Sequence, residues 1–403
     1  MNGELRDELR RLTHDGHPQV VAWRRAIHAW PELAFQEHRT AALCAEVLRG
    51  LGAEVRTGVA QTGVVGVIRG RAPGKTIAIR ADMDALPVLE QTGLPFASDN
   101  PGVMHACGHD SHVAMALGAA TVLAQLRDRF DGNIVLLMEP NEETLDSQQE
   151  AGAYQFVQAG VLDDPKVDLV LGQHVYPEYP TGQVALRGGV MMTGFDYVDI
   201  AILGTTAHTS TSQKGADAIV AAAQVVLALQ TLASREIDPQ ESVIVHLGTI
   251  QGGTRRNILA DRVELTGTVR ISDQAQRDGL RERVERIVGG VTSALRCSYE
   301  IQYRPVLSAV MNDPDATALV GEVARELHGP SGVYWMPMPR PTAESFHIYG
   351  EGRPAVFWFL GVGNAAKGWE WASHHPRFML DEDAMEQGVA VLAGACLRAL
   401  GAM

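Results

Sequence analysis

The hydrophobic pattern of this chain changes texture part-way along, and that change restricts its architecture more than any other feature. Over the first part, Val20 to Leu51 predicts helix, Gly63 to Arg69 and Thr76 to Arg80 predict strands, and His112 to Leu126 predicts a helix. Ile134 to Met138 and Leu169 to His174 read as buried strands. Such alternation implies an α/β fold, a mostly parallel sheet covered by helices. From Phe195 the pattern becomes a polar-apolar strand (Tyr197 to Leu203), a long apolar helix (Ala216 to Leu232) and strands at Ser242 to Ile250 and Asp261 to Ile271. A helix at Gln274 to Leu295 and a strand at Ser298 to Val306 follow. The order β-α-β-β-α-β is that of a ferredoxin-like α+β unit. We therefore expect one domain from 1–190 and 304–403, interrupted by an inserted domain at 191–303.

Two domains also suit 403 residues, more than one core usually serves. Charged residues at 20% and hydrophobic residues at 46% are those of a globular enzyme. The net charge of −14, with no clustered Lys and Arg, argues against a nucleic-acid partner. The longest apolar stretches, Ala218 to Ala223 and Val225 to Leu229, are interrupted by Gln224 and Gln230, so no membrane span is expected. Charged residues from Glu4 to Arg11 leave no room for an export signal, and the cytoplasm is the expected location. Cys44, Cys297 and Cys396 read as inert thiols in apolar surroundings, too scattered for a disulfide framework. Gly74-Lys75-Thr76 reads as a hairpin turn, not a phosphate loop, and Gly361 and Gly363 as a tight turn.

Cys107 has different neighbours. It stands two residues from His109, just ahead of a helix. Glu142 and Glu143 follow the buried strand ending at Met138, His174 ends another, and His374-His375-Pro376 lies near the carboxyl terminus. Singly, each has a bland reading: a solvated carboxylate pair, or a histidine satisfied in the core. Together they place metal-ligand types at the strand ends, where α/β proteins gather their sites. Cys107, His109, Glu143, His174 and one of the two later histidines exceed the needs of a closed tetrahedral site and suit two divalent ions. Thiolate and imidazole favour zinc, with manganese, nickel or cobalt left open. If the His374–His375 segment is extended, only one of the pair faces the ions.

Longer motifs carry a resemblance over nearly the whole chain. They are His28 with Pro31-Glu32-Leu33, Arg80-Ala81-Asp82-Met83-Asp84-Ala85-Leu86-Pro87, Met104 to Asp110, Glu142-Glu143, Gly252-Gly253-Thr254 with Asn257, Gly267-Thr268-Val269-Arg270, and His374-His375-Pro376. With these the chain resembles the metal-dependent amidohydrolases and carboxypeptidases of M20 type, which include hippurate hydrolases, auxin-conjugate hydrolases and N-acetyl-diaminopimelate deacetylases. The resemblance implies that Cys107, His109, Glu143, His174 and His374 are metal ligands, that Glu142 is the general base, and that Asp84 orients a ligand from behind. It implies too that His208 reaches the site of a neighbouring subunit, that Asn257 touches substrate, and that the inserted domain is a lid and dimerisation domain. The expected substrate is an N-acyl amino acid, attacked by a water shared between two metal ions, and the expected assembly is a homodimer.

The chain departs from that pattern in several places. Thr144 to Glu150 replaces a Gly-rich run, no Pro follows His208 in Thr209 to Gln213 or interrupts Asn257 to Ala260, and Ser345 stands where Asp is common. Two rival readings use the same residues: a cysteine-nucleophile hydrolase with Cys107 activated by His109, and a non-catalytic binding protein on an enzyme scaffold.

Overall fold

The computed structural model describes residues 3–238, 243–272 and 274–402. The chain divides into two compact units, Met1–Met191 with Met311–Met338 and Ser345–Met403, and Met192–Val310 with Pro339–Glu344. The second unit therefore ends a few residues beyond the expected 303 and takes in a later short segment as well.

The larger unit opens with α1 (Gly3–Ala29), α2 (His38–Gly50), β1 (Glu54–Val59), β2 (Gly63–Arg69), β3 (Thr76–Asp82) and α3 (His109–Gln125). β4 (Asn133–Glu139), α4 (Gly152–Gln158), β5 (Leu169–Pro180), β6 (Val184–Leu186) and β7 (Gly189–Met192) follow. Where Val20 to Leu51 reads as one helix, the structure has two. α1 starts earlier because Leu5, Leu9, Leu12, Val20 and Ile27 bury one stripe despite Pro18 within it, and it stops short of Pro31, whose ring cannot continue a helix.

In the second unit come β8 (Gly194–Leu203), α5 (Ala218–Leu229), β9 (Val243–Gly252), β10 (Arg262–Ile271), α6 (Gln274–Asp278), α7 (Leu280–Ala294) and β11 (Ser298–Leu307). Their strands form an antiparallel sheet in the order β11-β8-β10-β9, the arrangement of a ferredoxin-like unit. Ser242, the expected start of β9, lies outside the described residues. Gly279 separates α6 from α7 where a single helix was expected. Contrary to the sequence reading, the apolar segment Ala218–Glu236 is long and apolar enough to cross a membrane by length and composition. Within this unit it buries Ala218, Ala221, Ala222, Val225 and Leu229 in the core above the sheet, as a layer helix does.

The chain then forms β12 (Val310–Asn312), which pairs with β7, followed by α8 (Pro314–His328), β13 (Val333–Trp335), β14 (Ala355–Gly363) and α9 (Ala384–Ala399). The main sheet has the order β1-β2-β4-β3-β5-β14-β6-β13, with β4, β3, β5 and β14 parallel at its centre. α3 is buried apart from Thr121 and Gln125, and Val113, Leu117, Ala120 and Leu123 join the core with α1 and α9. Two turn expectations are overturned. β4 lies between β2 and β3, so the segment holding Gly74 is no hairpin but a loop fastened to the start of β4, with Asn133 N–H donating to Lys75 O. Gly361 and Gly363 lie inside β14, where a Cβ would come 2.0 Å from Pro180 O and 2.0 Å from Pro177 O respectively. They are glycine because β5 passes too close for a side chain.

Candidate metal centre

The parallel strands bring the ligand-type residues to one end of the main sheet. Asp82 ends β3, Glu139 ends β4 in register with it, and His174 stands on β5. Gly108, with φ +89°, turns the chain into α3 and leaves Cys107 and His109 on either side of the turn. The Cys107 Sγ to His174 Nε2 distance is 3.3 Å. His374 Nε2 lies 3.2 Å and His109 Nε2 3.7 Å from Glu143 Oε1. The donor atoms of Cys107, His109 and His174 fall within 4.8 Å of one another, as do those of Cys107, Glu143 and His374, and those of His109, Glu142 and Glu143.

Each imidazole is held by one nitrogen and presents the other. His109 Nδ1 meets Asp84 O at 3.0 Å and Asp84 Oδ1 at 3.2 Å, and His174 Nδ1 meets Val175 O at 2.6 Å. Their Nε2 atoms face the other ligand-type residues, His174 Nε2 towards Cys107 Sγ, the usual preparation for metal binding. Asp84 Oδ2 also accepts the backbone N–H groups of Glu142 (3.0 Å) and Glu143 (2.9 Å), so one carboxylate orients His109 and the glutamate loop together. His112 also faces this group, but Nδ1 bonds Asp82 at 2.6 Å and Nε2 accepts Val175 N–H at 2.9 Å, leaving no lone pair for a metal.

His374 and His375 do not occupy an extended segment, as the sequence reading supposed. His374 has φ +70° and donates its N–H to Ala106 O at 2.7 Å. His375 stacks on Trp371 with centroids 4.2 Å apart, and its Nδ1 accepts Arg377 N–H at 3.0 Å. The turn thus separates the pair by chain geometry rather than by strand alternation.

The electrostatics favour a cation. Burial, then Glu143, pushes the Cys107 thiol well above its ordinary range. Burial works against the charged form of His109, but Asp82, Asp84 and Cys107 together outweigh it and raise the imidazole well above its usual value. Burial and then His112 hold His174 well below it. His109 Nε2 is buried without a hydrogen-bond partner among the described residues and lies 3.7 Å from Glu143 Oε1, an arrangement that fits a divalent ion.

Several supporting residues carry no role in the sequence reading. Arg80, Asp82, Glu139 and His112 are buried behind the donor atoms. Buried Glu37 accepts the N–H of Asn141 (3.0 Å), which holds φ +48° at the entry to the glutamate loop. The signal for the first group was alternation: Arg80, Asp82 and Asp84 are charged residues at every second position of an otherwise apolar run. His208 and Asn257 lie in the second unit, both exposed, and come together there: His208 bridges Ile258, and Thr209 N–H donates to Asn257 O at 3.3 Å.

The model of peptidase family M20/M25/M40 matches residues 78–398. The chain belongs to that family. An N-acyl-L-amino acid amidohydrolase of Geobacillus stearothermophilus is 42% identical over 313 residues, 77% of this chain and 83% of the relative. Thermostable carboxypeptidase 1 of Saccharolobus solfataricus is 38% identical over 387 residues, 96% of each chain. A Bacillus subtilis dinuclear metal-binding peptidase of the M20 family superposes with a TM-score of 0.83 at 32% identity, covering 97% of this chain and 100% of that one. M20 membership makes the chain an enzyme, a metal-binding hydrolase of amidohydrolase and peptidase type, and sets aside the reading as a non-catalytic binding protein.

Proposed function

We propose that this enzyme hydrolyses the amide bond of N-acyl amino acids or similar small amides, with Glu142 as general base. The observation that carries the reading is a carboxylate beside the metal-fitting set. Glu142 belongs to the cluster with His109 and Glu143, yet its Oε1 accepts Ser345 N–H at 3.1 Å and its own N–H is fixed by Asp84.

Cys107, His109, Glu143, His174 and His374 would hold two divalent ions, zinc being favoured by the thiolate and imidazoles over manganese, nickel or cobalt. Bound there, such ions would supply the acidification of the attacking water and the polarisation of the scissile carbonyl. Glu142 takes the proton as the water oxygen bonds to the acyl carbon, then delivers it to the departing nitrogen as the C–N bond breaks. The products are a carboxylic acid and a free amino acid.

His208 serves in this reading as a hydrogen-bond donor to the developing oxyanion, acting on the site of a second subunit, and Asn257 contacts substrate. His208 Nδ1 faces Ser210, 2.7 Å from its Oγ and 3.2 Å from its backbone nitrogen, which leaves Nε2 as the ring atom available to a substrate. A homodimer is supported by the edge strand β9, which has no strand on its outer side among the described residues and has Ile244 and Ile250 exposed, and by Leu227, 72% exposed, on α5.

The test is Glu142→Gln, which removes the proton acceptor and keeps the donor set. Turnover of N-acetyl, N-benzoyl and indole-acyl amino acids should fall about 10²- to 10⁴-fold with metal content unchanged. Near-normal release of amine would end the assignment of Glu142 as base. Chelation should abolish activity, whereas a cysteine-nucleophile hydrolase would survive it.

A further inference from the structure

Behind the Glu142–Glu143 loop lies a buried polar network centred on Arg80. Its Nε donates to Glu139 Oε2 (2.6 Å), Nη1 to Asp82 Oδ2 (2.7 Å) and Nη2 to Ser345 Oγ (3.1 Å). Ser345 Oγ donates in turn to Glu139 Oε1 (2.8 Å), which also accepts Ala153 N–H (3.0 Å), while Tyr349 O–H donates to Glu139 Oε2 (2.9 Å). Arg80, Asp82, Glu139, Ser345 and Tyr349 are each at most 2% exposed. At this depth a polar side chain is held by its partners rather than by water, and its position is correspondingly sharp.

Ser345 reaches out of that network as well as into it. Its side chain is clasped between Arg80 and Glu139, and its backbone N–H donates to Glu142 Oε1. Fixing the hydroxyl fixes the peptide that carries the N–H, and this donor meets one oxygen of the half-buried Glu142 carboxylate. A general base acts only when aimed at the proton it removes, and small misplacements are costly. The carboxylate that meets Arg80 on this side comes from β4, as Glu139, and position 345 supplies a hydroxyl.

We propose that Glu139 and Ser345 are a positioning pair that aims Glu142 through the Ser345 N–H. The inference rests on Glu142 being the base, as proposed above. A structural role for the same network would be to neutralise Arg80 and hold β3 to β4, and this would affect folding without singling out the chemical step.

The test uses the full-length, metal-loaded enzyme. Ser345→Ala should lower kcat by roughly 10- to 100-fold, with KM and metal content near wild type and Tm lowered by the buried Arg80 and Glu139 atoms it leaves unpaired. In a Glu142→Gln background the same substitution should cause no further loss, because the group it positions is gone. Glu139→Gln should behave like Ser345→Ala, and adding Ser345→Asp should return most of the lost kcat by restoring a carboxylate against Arg80 from the other side. Unchanged kcat in Ser345→Ala overturns the proposal, and so does an equal fold loss in both backgrounds, which marks a structural role. If Glu139→Gln fails to fold, the Ser345→Ala comparison across the two backgrounds decides alone. Near-normal activity of Glu142→Gln by itself removes the base and the pair's role with it, a failure recognisable without any change at Ser345.

Discussion

Glu37 shows what a single buried carboxylate contributes. Its Oε2 accepts Thr62 Oγ1 (2.5 Å) and its Oε1 the N–H of Asn141, and burial pushes its pKa up to about 6 against the pull of those bonds. The folded state therefore favours the protonated acid. Its contribution to stability is fully present below the unfolded value of 4.5 and is lost as pH rises through 6. The shift corresponds to about 2 kcal/mol. Glu37→Gln keeps an amide oxygen for Asn141 and cannot ionise, so the variant should gain stability relative to wild type at neutral pH but not at pH 4.5. Urea unfolding at both pH values measures this, and an equal difference at both would assign the titration elsewhere. Ligand-type residues were legible because Cys, His and Glu at the ends of apolar runs are conspicuous. Glu37 was not: its partners Thr62 and Asn141 are far away in sequence, and nothing near it distinguishes it from a solvated glutamate. Glu139 was hidden likewise, since only the register of β4 against β3 places it beside Asp82.

Among the elements, the turn into α3 matters most to the site. Gly108 holds φ +89°, and a Cβ there would lie 2.4 Å from Val175 Cγ2 on β5. Gly108→Ala meets both the left-handed strain and that overlap, at a cost of about 1–3 kcal/mol for the backbone alone. The turn must shift, and Cys107 and His109 with it, so metal occupancy should fall together with Tm. Gly102 has φ +85° with nothing within 4 Å, so Gly102→Ala should lower Tm while leaving metal content intact. Full occupancy in Gly108→Ala would mean the donor set tolerates a displaced turn. The alternation of helices and strands was readable because each element has its own period, including the β-α-β-β-α-β order of the second unit. Connections were not. Which strand lies between β2 and β3, and why β14 keeps Gly361 and Gly363, depend on pairings with distant parts of the chain that local periodicity does not encode.

At the scale of the whole molecule, the proposed dimer makes a quantitative prediction. Glu142→Gln and His208→Ala homodimers should both be inactive. If His208 serves the partner's site, a mixed dimer holds one doubly defective site and one intact one. Random reassortment makes about half the dimers mixed, so roughly a quarter of wild-type activity should return. Complete exchange of differently tagged chains with no gain in activity would remove His208 from the neighbouring site.

The place of β14 in the main sheet bears on how the protein is made. Its strand, Ala355–Gly363, is buried throughout and sits between β5 and β6, which precede it by well over a hundred residues. On the ribosome, β5 emerges with its outer edge unpaired and waits for the entire second unit to be synthesised before its neighbour arrives. Closure of the sheet is thus a late, long-range event, slow by its topology and exposed to mispairing meanwhile. A message broken shortly before codon 355 would yield a chain bearing Cys107, His109, Glu143 and His174 but a sheet split at its middle, which protein quality control would meet as an unfinished product rather than a shortened enzyme.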